Sequence, residues 1–237
     1  MNKPKILVGC PTYWGKGYCL KKYAERVKAL SYENYDVMLV DNTEGDSYIE
    51  QITKEGLRVI KGPWSEDARE RIINSRNLLR DKLLEGGYDY FLSLEQDIIP
   101  PKDVIERLLA RNKEIITGAY YKEGSLPDGR KTSYALLYVE QQGKLVLVHP
   151  ERLKNKELIT INACGLGCIL IHRKVLEKIR FRKPEKGPAQ DDMMFCYDAQ
   201  KAGFELYVDT DVVCEHLHKD WKEAEKELSR TTLHRRI

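Results

Sequence analysis

Glu95 and Asp97 combine residue type and spacing in a way that suggests chemistry. They end the apolar, aromatic run Tyr90-Phe91-Leu92-Ser93-Leu94, and Pro100 and Pro101 follow closely. Such a run reads as a buried strand carrying acids at its carboxyl end. Alternation along a strand lets Glu95 and Asp97 point to one side and Gln96 to the other. Ligands of open α/β sheets collect at strand carboxyl ends. Two carboxylates there can hold a hard divalent cation and leave coordination positions for phosphate oxygens. The plainer alternative is a solvated strand end whose acids favour the positive start of the next helix.

A second group is Gln190-Asp191-Asp192, at the start of a predicted helix. Phe195, Cys196 and Ala199 lie three, four and seven residues after Asp192, so Asp192 shares the inward apolar stripe. Asp191 is turned about 100° away. An acid on an inward stripe is a candidate general base, because partial burial raises its pKa. The competing explanation is helix-end stabilisation by acids in the first turn. A third group is Cys214-Glu215-His216-Leu217-His218. If the strand continues, Cys214, His216 and His218 share a face. A Cys-x-His-x-His face suggests zinc, but a second ligand pair at structural spacing is missing; a histidine completing a carboxylate metal site and a satisfied histidine at a sheet edge are the alternatives. Asp41 and Pro11-Thr12-Tyr13 close two earlier strands, where a base and ribose can sit. Arg76, on a long helix, can face a pyrophosphate or simply solvent.

These residues need a sheet to bring them together. Lys5–Cys10, Asp36–Val40 and Leu57–Ile60 read as strands, and Tyr18–Leu30 and Ser47–Lys54 as helices. A long helix is predicted from Ser65, as N-cap, to about Leu84, where Gly86-Gly87 stops it. The order βαβαβαβ predicts a parallel sheet with helices on both faces. Beyond the Asp103–Ala110 helix the pattern turns to strands at Glu114–Tyr120, Lys131–Val139, Lys144–Val148 and Leu158–His172. Turns carry Gly124, Pro127, Gly129 and Gly143. Gly165 and Gly167 interrupt the last of these runs and suggest close backbone approach or a bulge. Arg173–Ile179 and Ala189–Ala202 read as helices, Phe204–Val208 and Val212–His216 as strands, and Lys219–Leu228 as a charged helix. The predicted architecture is α/β: one domain over residues 1–237, with a nucleotide-binding half (1–100), a metal and acceptor half in a mixed sheet (101–218), and a helix with a basic tail (219–237).

The chain has 237 residues, a formal charge of +3 and 32% charged residues, which is balanced and unlike a nucleic-acid footprint. Its six cysteines lie mostly in apolar runs and read as reduced core thiols of a cytoplasmic protein. The amino-terminal residues MNKPKILVGC lack a long apolar segment and no run of about 18 apolar residues occurs, so neither a signal peptide nor a membrane span is expected. The Lys219–Ile237 end, with Trp221, interleaves acids with bases, which favours a solvated helix over contact with a membrane surface. A GxxxxGK[ST] phosphate loop is also absent.

The order of these motifs resembles the inverting GT-A glycosyltransferases, above all glycosyltransferase family 2. VGCPTYW matches an opening strand ending in Pro-Thr-Tyr, MLVDN a second strand ending in an acid, and NSRNLL a helix carrying Arg-Asn. FLSLEQD followed by IPPKDVIERLL matches a strand ending in Asp-x-Asp before a proline and a helix. GLGCILIHRKVL, QDDMMFCYDAQKAGF and VDTDVVCEHLH complete the set, from roughly Ile6 to His218. The resemblance implies a donor site of Pro11, Thr12, Tyr13, Asp41, Arg76, Glu95 and Gln96. It implies Mn²⁺ or Mg²⁺ on Asp97 and His216, with Glu95 beside them and His218 in reserve. It implies a catalytic pair, Asp191 and Asp192, with the base carried over to Asp192. The first acid of the Asp-x-Asp pattern is Glu95 here, which makes Asp97 the principal ligand. The expected substrates are a UDP- or GDP-sugar and a saccharide, lipid-linked or protein acceptor. Competing readings are a retaining transferase of the same fold, a nucleotidyltransferase, and a non-catalytic sugar- or nucleotide-binding module. Pro11-Thr12-Tyr13-Trp14 stands where a nucleotidyltransferase would carry a glycine-rich, arginine-bearing loop.

Overall fold

The parallel part of the sheet consists of β1 (Ile6–Thr12) and β4 (Tyr90–Leu94), apolar runs buried almost throughout, β2 (Tyr35–Asp41), buried in its second half, and β3 (Arg58–Lys61), a partly exposed edge strand. They lie in the order β3-β2-β1-β4, every pair parallel. Helices α1 (Gly17–Lys28), α2 (Ser47–Lys54) and α3 (Ala68–Glu85) connect them. Ile6 and Val8 face the side covered by α1 and α2, with Tyr23, Val27 and Ile52. Leu7 faces the other side, with Leu79 and Leu83 of α3. Cover on both faces explains why β1 and the apolar centre of β4 read as continuous apolar runs. This is a computed structural model, and it describes residues 3–125, 130–185, 187 and 190–218.

The chain then changes character, as predicted. β5 (Ile98–Ile99) and α4 (Val104–Ala110) lead into β6 (Ile115–Ser125), β7 (Lys131–Ala135), β8 (Leu137–Gln141), β9 (Lys144–Leu147), β10 (Leu158–Ile161), β11 (Ala163–Cys164) and β12 (Cys168–His172). Next come α5 (Arg173–Lys178), α6 (Asp191–Lys201) and β13 (Leu206–His216). β12 is antiparallel to both β4 and β6. β13 runs parallel to β6, giving the order β10-β13-β6-β12-β4-β1-β2-β3, with β5 on β13 and β7 on β6. β11, β8 and β9 form a second, three-stranded sheet among the described residues. The fold is a mixed α/β architecture with a curled mixed sheet.

Several boundaries differ from the sequence reading. The predicted strand Lys131–Val139 breaks at Leu136, because β7 pairs with β6 whereas β8 pairs with β9 and β11. The two late strands are one, β13, whose register shifts between Asp209 and Val213. A bulge of this kind lets one strand turn without ending. The cap of α3 is Asp67, which accepts from the Arg69 and Glu70 N–H groups, rather than Ser65. Pro127, Gly129, Ala189 and the predicted helix and tail over 219–237, with Trp221, lie outside the described residues. The six cysteines are free and buried. Among the described residues, no helix is long and apolar enough to cross a membrane.

Candidate active site

β4 stops at Leu94, and the chain turns there, with Ile98 N–H donating to the Glu95 carbonyl at 2.8 Å. The strand alternation therefore does not continue through Glu95 and Asp97, and the two acids go to different partners. Glu95 turns toward α3 and α6. Arg76 on α3 donates through Nη2 to Glu95 Oε1 at 2.8 Å, through Nε to Asp191 Oδ2 at 2.8 Å, and through Nη1 to Ser93 Oγ at 3.3 Å. Arg76 is 4% exposed. Two protein carboxylates and a hydroxyl engage three of its five N–H donors, so the fork is turned onto protein acids rather than onto solvent. Its inward placement had a sequence signal. Arg76 shares the i, i+3, i+7 stripe of Leu79 and Leu83, both fully buried.

Asn77 positions α6 from the neighbouring position on α3. Its side chain donates to the Phe181 carbonyl at 2.9 Å and accepts from the Phe181 N–H at 3.0 Å. The Phe181 ring stacks on Phe195 of α6, centroids 5.3 Å apart. This docking places the first turn of α6 beside Arg76 and separates its two acids. Asp191 is held in the Arg76 ion pair. Asp192 accepts from the Met193 N–H at 2.7 Å. Burial is the main cause that lifts the Asp192 carboxyl to about 6, and the nearby charges of Asp191 and Glu95 add to it. The Met193 N–H and Arg76 oppose the rise.

Asp97 turns the other way, toward α1 and β13. Its Oδ2 accepts from the Lys16 ammonium, lies 3.6 Å from His216 Nε2, and is 3.4 Å from the Tyr18 hydroxyl. His216 Nδ1 is 2.9 Å from the Tyr121 carbonyl of β6. Leu217 N–H donates to the Asp97 carbonyl at 2.8 Å, and the Tyr18 hydroxyl donates to the Leu217 carbonyl at 3.1 Å. Burial works to raise the Asp97 carboxyl, but His216 and Lys16 more than offset it and hold it down at about 2. Burial works against protonated His216, yet Asp97 and the Tyr121 carbonyl raise its pKa. Asp97 Oδ1 is buried and, among the described residues, has no hydrogen-bond partner. A buried carboxylate oxygen left open this way is costly unless something cationic reaches it.

Two side chains join these halves. Cys10, at the end of β1, is buried where it feels Glu95, Arg76, Lys16 and Asp97, and burial foremost pushes its thiol up. The Tyr120 ring meets His216 edge-on at 5.8 Å, and its hydroxyl oxygen accepts from the Gly167 N–H at 3.2 Å. Burial, Glu95 and Asp192 all push the Tyr120 phenol up. The predicted close approach at the glycine pair is this contact. A Cβ at Gly165 would lie 2.1 Å from the Tyr120 oxygen, and one at Gly167 2.7 Å from its ring.

Several candidate donor contacts are turned inward. Thr12 donates to Gln96 Oε1, which also accepts from the Tyr48 hydroxyl at 3.0 Å. Gln96 Nε2 donates to the Lys16 carbonyl at 2.8 Å. Gln96 is 1% exposed and ties the end of β1 to α1, so its amide is closed to a nucleotide. Asp41 is fully buried, with Oδ1 accepting from Thr43 N–H at 3.0 Å and Oδ2 3.2 Å from Lys61 Nζ. That pairing closes it to a nucleobase. Pro11 is half-buried, and Tyr13 and Trp14 stand exposed at the end of β1. Cys214 packs against Cys168, and His218 lies beyond the end of β13 with its ring 4.5 Å from that of His216. Among the described residues, no three His, Cys, Asp or Glu side chains form a metal cage. The Cys-x-His-x-His zinc face is therefore not built. Lys16, Tyr18 and Tyr120 were not identified from the sequence, where Lys16 and Tyr18 flank a glycine turn and Tyr120 sits in an ordinary strand pattern.

No protein-family model matches the chain, and no curated protein matches it in sequence. Its fold does have solved counterparts. GalNAc-T7, crystallised with UDP, GalNAc and Mn²⁺, aligns over 92% of this chain with a TM-score of 0.63 and 11% identity. This chain spans 44% of that structure's length. A197 from STIV aligns over 91% of this chain and 86% of its own, with 17% identity and a TM-score of 0.47. The likeness to GalNAc-T7 identifies the fold as that of the GT-A glycosyltransferases.

Proposed function

We propose that this chain transfers a sugar from a nucleoside-diphosphate donor to an acceptor hydroxyl, by a single inverting displacement resembling that of glycosyltransferase family 2. The observation that carries the reading is the division of labour between adjacent acids. Asp191 is locked on Arg76, while Asp192 is lifted to about 6. A carboxylate with that value is ionised at neutral pH and more basic than an ordinary one, as a general base requires. Asp192 takes the proton of the acceptor hydroxyl as that oxygen attacks the anomeric carbon. Arg76 holds Asp191 and Glu95 in place, and Asn77 with Phe181 fixes the angle of α6. The ligands crystallised with GalNAc-T7 support a UDP-sugar-like donor, and exposed Tyr13 and Trp14 offer faces for its nucleoside.

The residues present fit a divalent cation that the protein binds by itself and that the substrate's phosphates then share. Asp97 Oδ1 is an open buried acceptor. His216 is oriented through Nδ1 on a backbone carbonyl, the usual support of a ligating imidazole. Asp97 and His216 would hold Mn²⁺ or Mg²⁺, and donor phosphate oxygens would fill the other positions. When bound, the cation supplies Lewis-acid stabilisation of the departing diphosphate. Glu95 is committed to Arg76 and serves that ligand set from outside.

The test pairs binding with turnover. A thermal-shift panel of nucleoside diphosphates, with and without Mn²⁺, should show a metal-dependent winner, stabilised by about 2.7 kcal/mol at about 100 times its Kd. Asp192→Asn should keep that stabilisation and lose transfer by about 10²–10⁴-fold. Full transfer by Asp192→Asn removes the base assignment, and a product that retains the donor's anomeric configuration removes the inverting mechanism. A panel in which every nucleotide leaves the melting point unmoved removes the donor reading.

A further inference from the structure

The acid placed best to hold a cation already holds one. The Lys16 ammonium sits on Asp97 Oδ2, while Asp97 Oδ1, on the same carboxylate, has no partner among the described residues. Asp97 is 7% exposed, so this pairing is made inside the protein. Lys16 is anchored by its backbone. Its carbonyl accepts from Gln96 Nε2 at 2.8 Å and from the Cys19 thiol at 3.1 Å. Its side chain is partly solvent-accessible, with a relative exposure of 26%. Lys16 also occupies the N-cap of α1, and no side chain caps that helix. Cap and ammonium thus lie together at the carboxyl end of β1.

We propose that Lys16 is a diphosphate-binding cation, held on Asp97 until a divalent ion displaces it. The inference rests on the sugar-transfer reading and names how the donor's phosphates are gripped. A divalent ion on Asp97 and the Lys16 ammonium are like charges competing for one carboxylate, so the ion drives the ammonium off. The diphosphate that shares the ion is the nearest new anion for a flexible lysine, which acts as a mobile point charge. Gln96 acquires a role in this arrangement: it fixes the backbone from which Lys16 swings.

The experiment uses the whole chain and two probes, Mn²⁺ alone and inorganic pyrophosphate with Mn²⁺. In the wild-type protein, amine-reactive footprinting read by mass spectrometry should show Lys16 labelling rise severalfold on adding Mn²⁺. It should fall again on adding pyrophosphate. Lys16→Met should bind Mn²⁺ alone about tenfold more tightly, since the competitor is gone, and bind pyrophosphate with Mn²⁺ about tenfold more weakly. Lys16→Arg should stay close to wild type in both. Asp97→Asn should abolish Mn²⁺ binding. Labelling that Mn²⁺ leaves unmoved, or equal affinities in wild type and Lys16→Met, overturns the role of Lys16 and leaves the sugar-transfer reading standing. Failure of the wild type to bind Mn²⁺ at all overturns this inference together with the metal part of that reading. The footprint needs no variant, so a Lys16→Met protein that fails to fold does not shield the idea.

Discussion

Replacing Asp192 with asparagine should stabilise this protein at neutral pH while disabling it. In the folded chain the carboxyl titrates at about 6, against an ordinary value of 3.8. Above both values the folded state must hold a charge it disfavours, at a cost of about 3 kcal/mol relative to the unfolded chain. A group raised in this way helps the fold below about pH 4 and loses that help as pH rises through about 6. Asparagine keeps the shape and can still accept from the Met193 N–H, so the contact at 2.7 Å survives. It gives up the attraction between an acid and the start of α6, worth about 0.3–1 kcal/mol. The net gain at about pH 8 is then about 2 kcal/mol, or about 4–8 °C in Tm for a chain of this size. At about pH 5 roughly half of the cost of the buried charge is relieved by protonation, and the gain shrinks accordingly. Urea unfolding followed by circular dichroism at both pH values measures this directly. Asp191→Asn is the internal contrast and should destabilise, because Arg76 loses one of its two carboxylates. An Asp192→Asn protein with an unchanged or lower midpoint at about pH 8 would refute the argument that burial lifts this acid.

The remaining expectations follow from the same geometry. The kcat/KM profile of the wild type should fall on its acid side near the value of about 6 held by Asp192, and that limb should vanish with Asp192→Asn. Arg76→Met leaves Glu95 and Asp191 facing each other without their cation, and should cost about 3–5 kcal/mol in denaturant unfolding. Gly165→Ala forces a methyl to within 2.1 Å of the Tyr120 oxygen, and should cost about 1–3 kcal/mol and displace Tyr120 from His216, seen as a shift of the His216 resonances. Asp97 is held down at about 2, so its contribution is present above about pH 4 and lost as pH falls toward about 2. The stability gap between wild type and Asp97→Asn should close over that interval.

Much of the fold was written locally. The runs Lys5–Cys10 and Tyr88–Leu94 are apolar on both faces, and only a strand covered on both sides uses such residues. The turn signals and helix periods between them were enough for a parallel sheet with α1, α2 and α3 around it. The boundary of β13 was not readable. Asp209, Thr210 and Asp211 look like a break, and only pairing with β6 on both sides of the register shift makes the two runs one strand. At the site, the helix period separated Asp192 from Asp191, and the structure pairs Asp191 alone with Arg76.

What the sequence alone determined was which residue types reach the carboxyl edge of the sheet: the acids after β4, the acids opening α6, and the histidine closing β13. Periodicity and strand ends are local properties, so they survive in the linear chain. What only the tertiary structure decided was the pairing of charges. Arg76 turns inward to Glu95 and Asp191, Lys16 reaches Asp97, and Gln96 and Asp41 are consumed by internal hydrogen bonds. Those partners lie between 2 and 115 residues apart in the chain, and most of the spacings carry no local signature. A buried charge must find a counter-charge, but which one it finds depends on the three-dimensional packing of helices on the sheet.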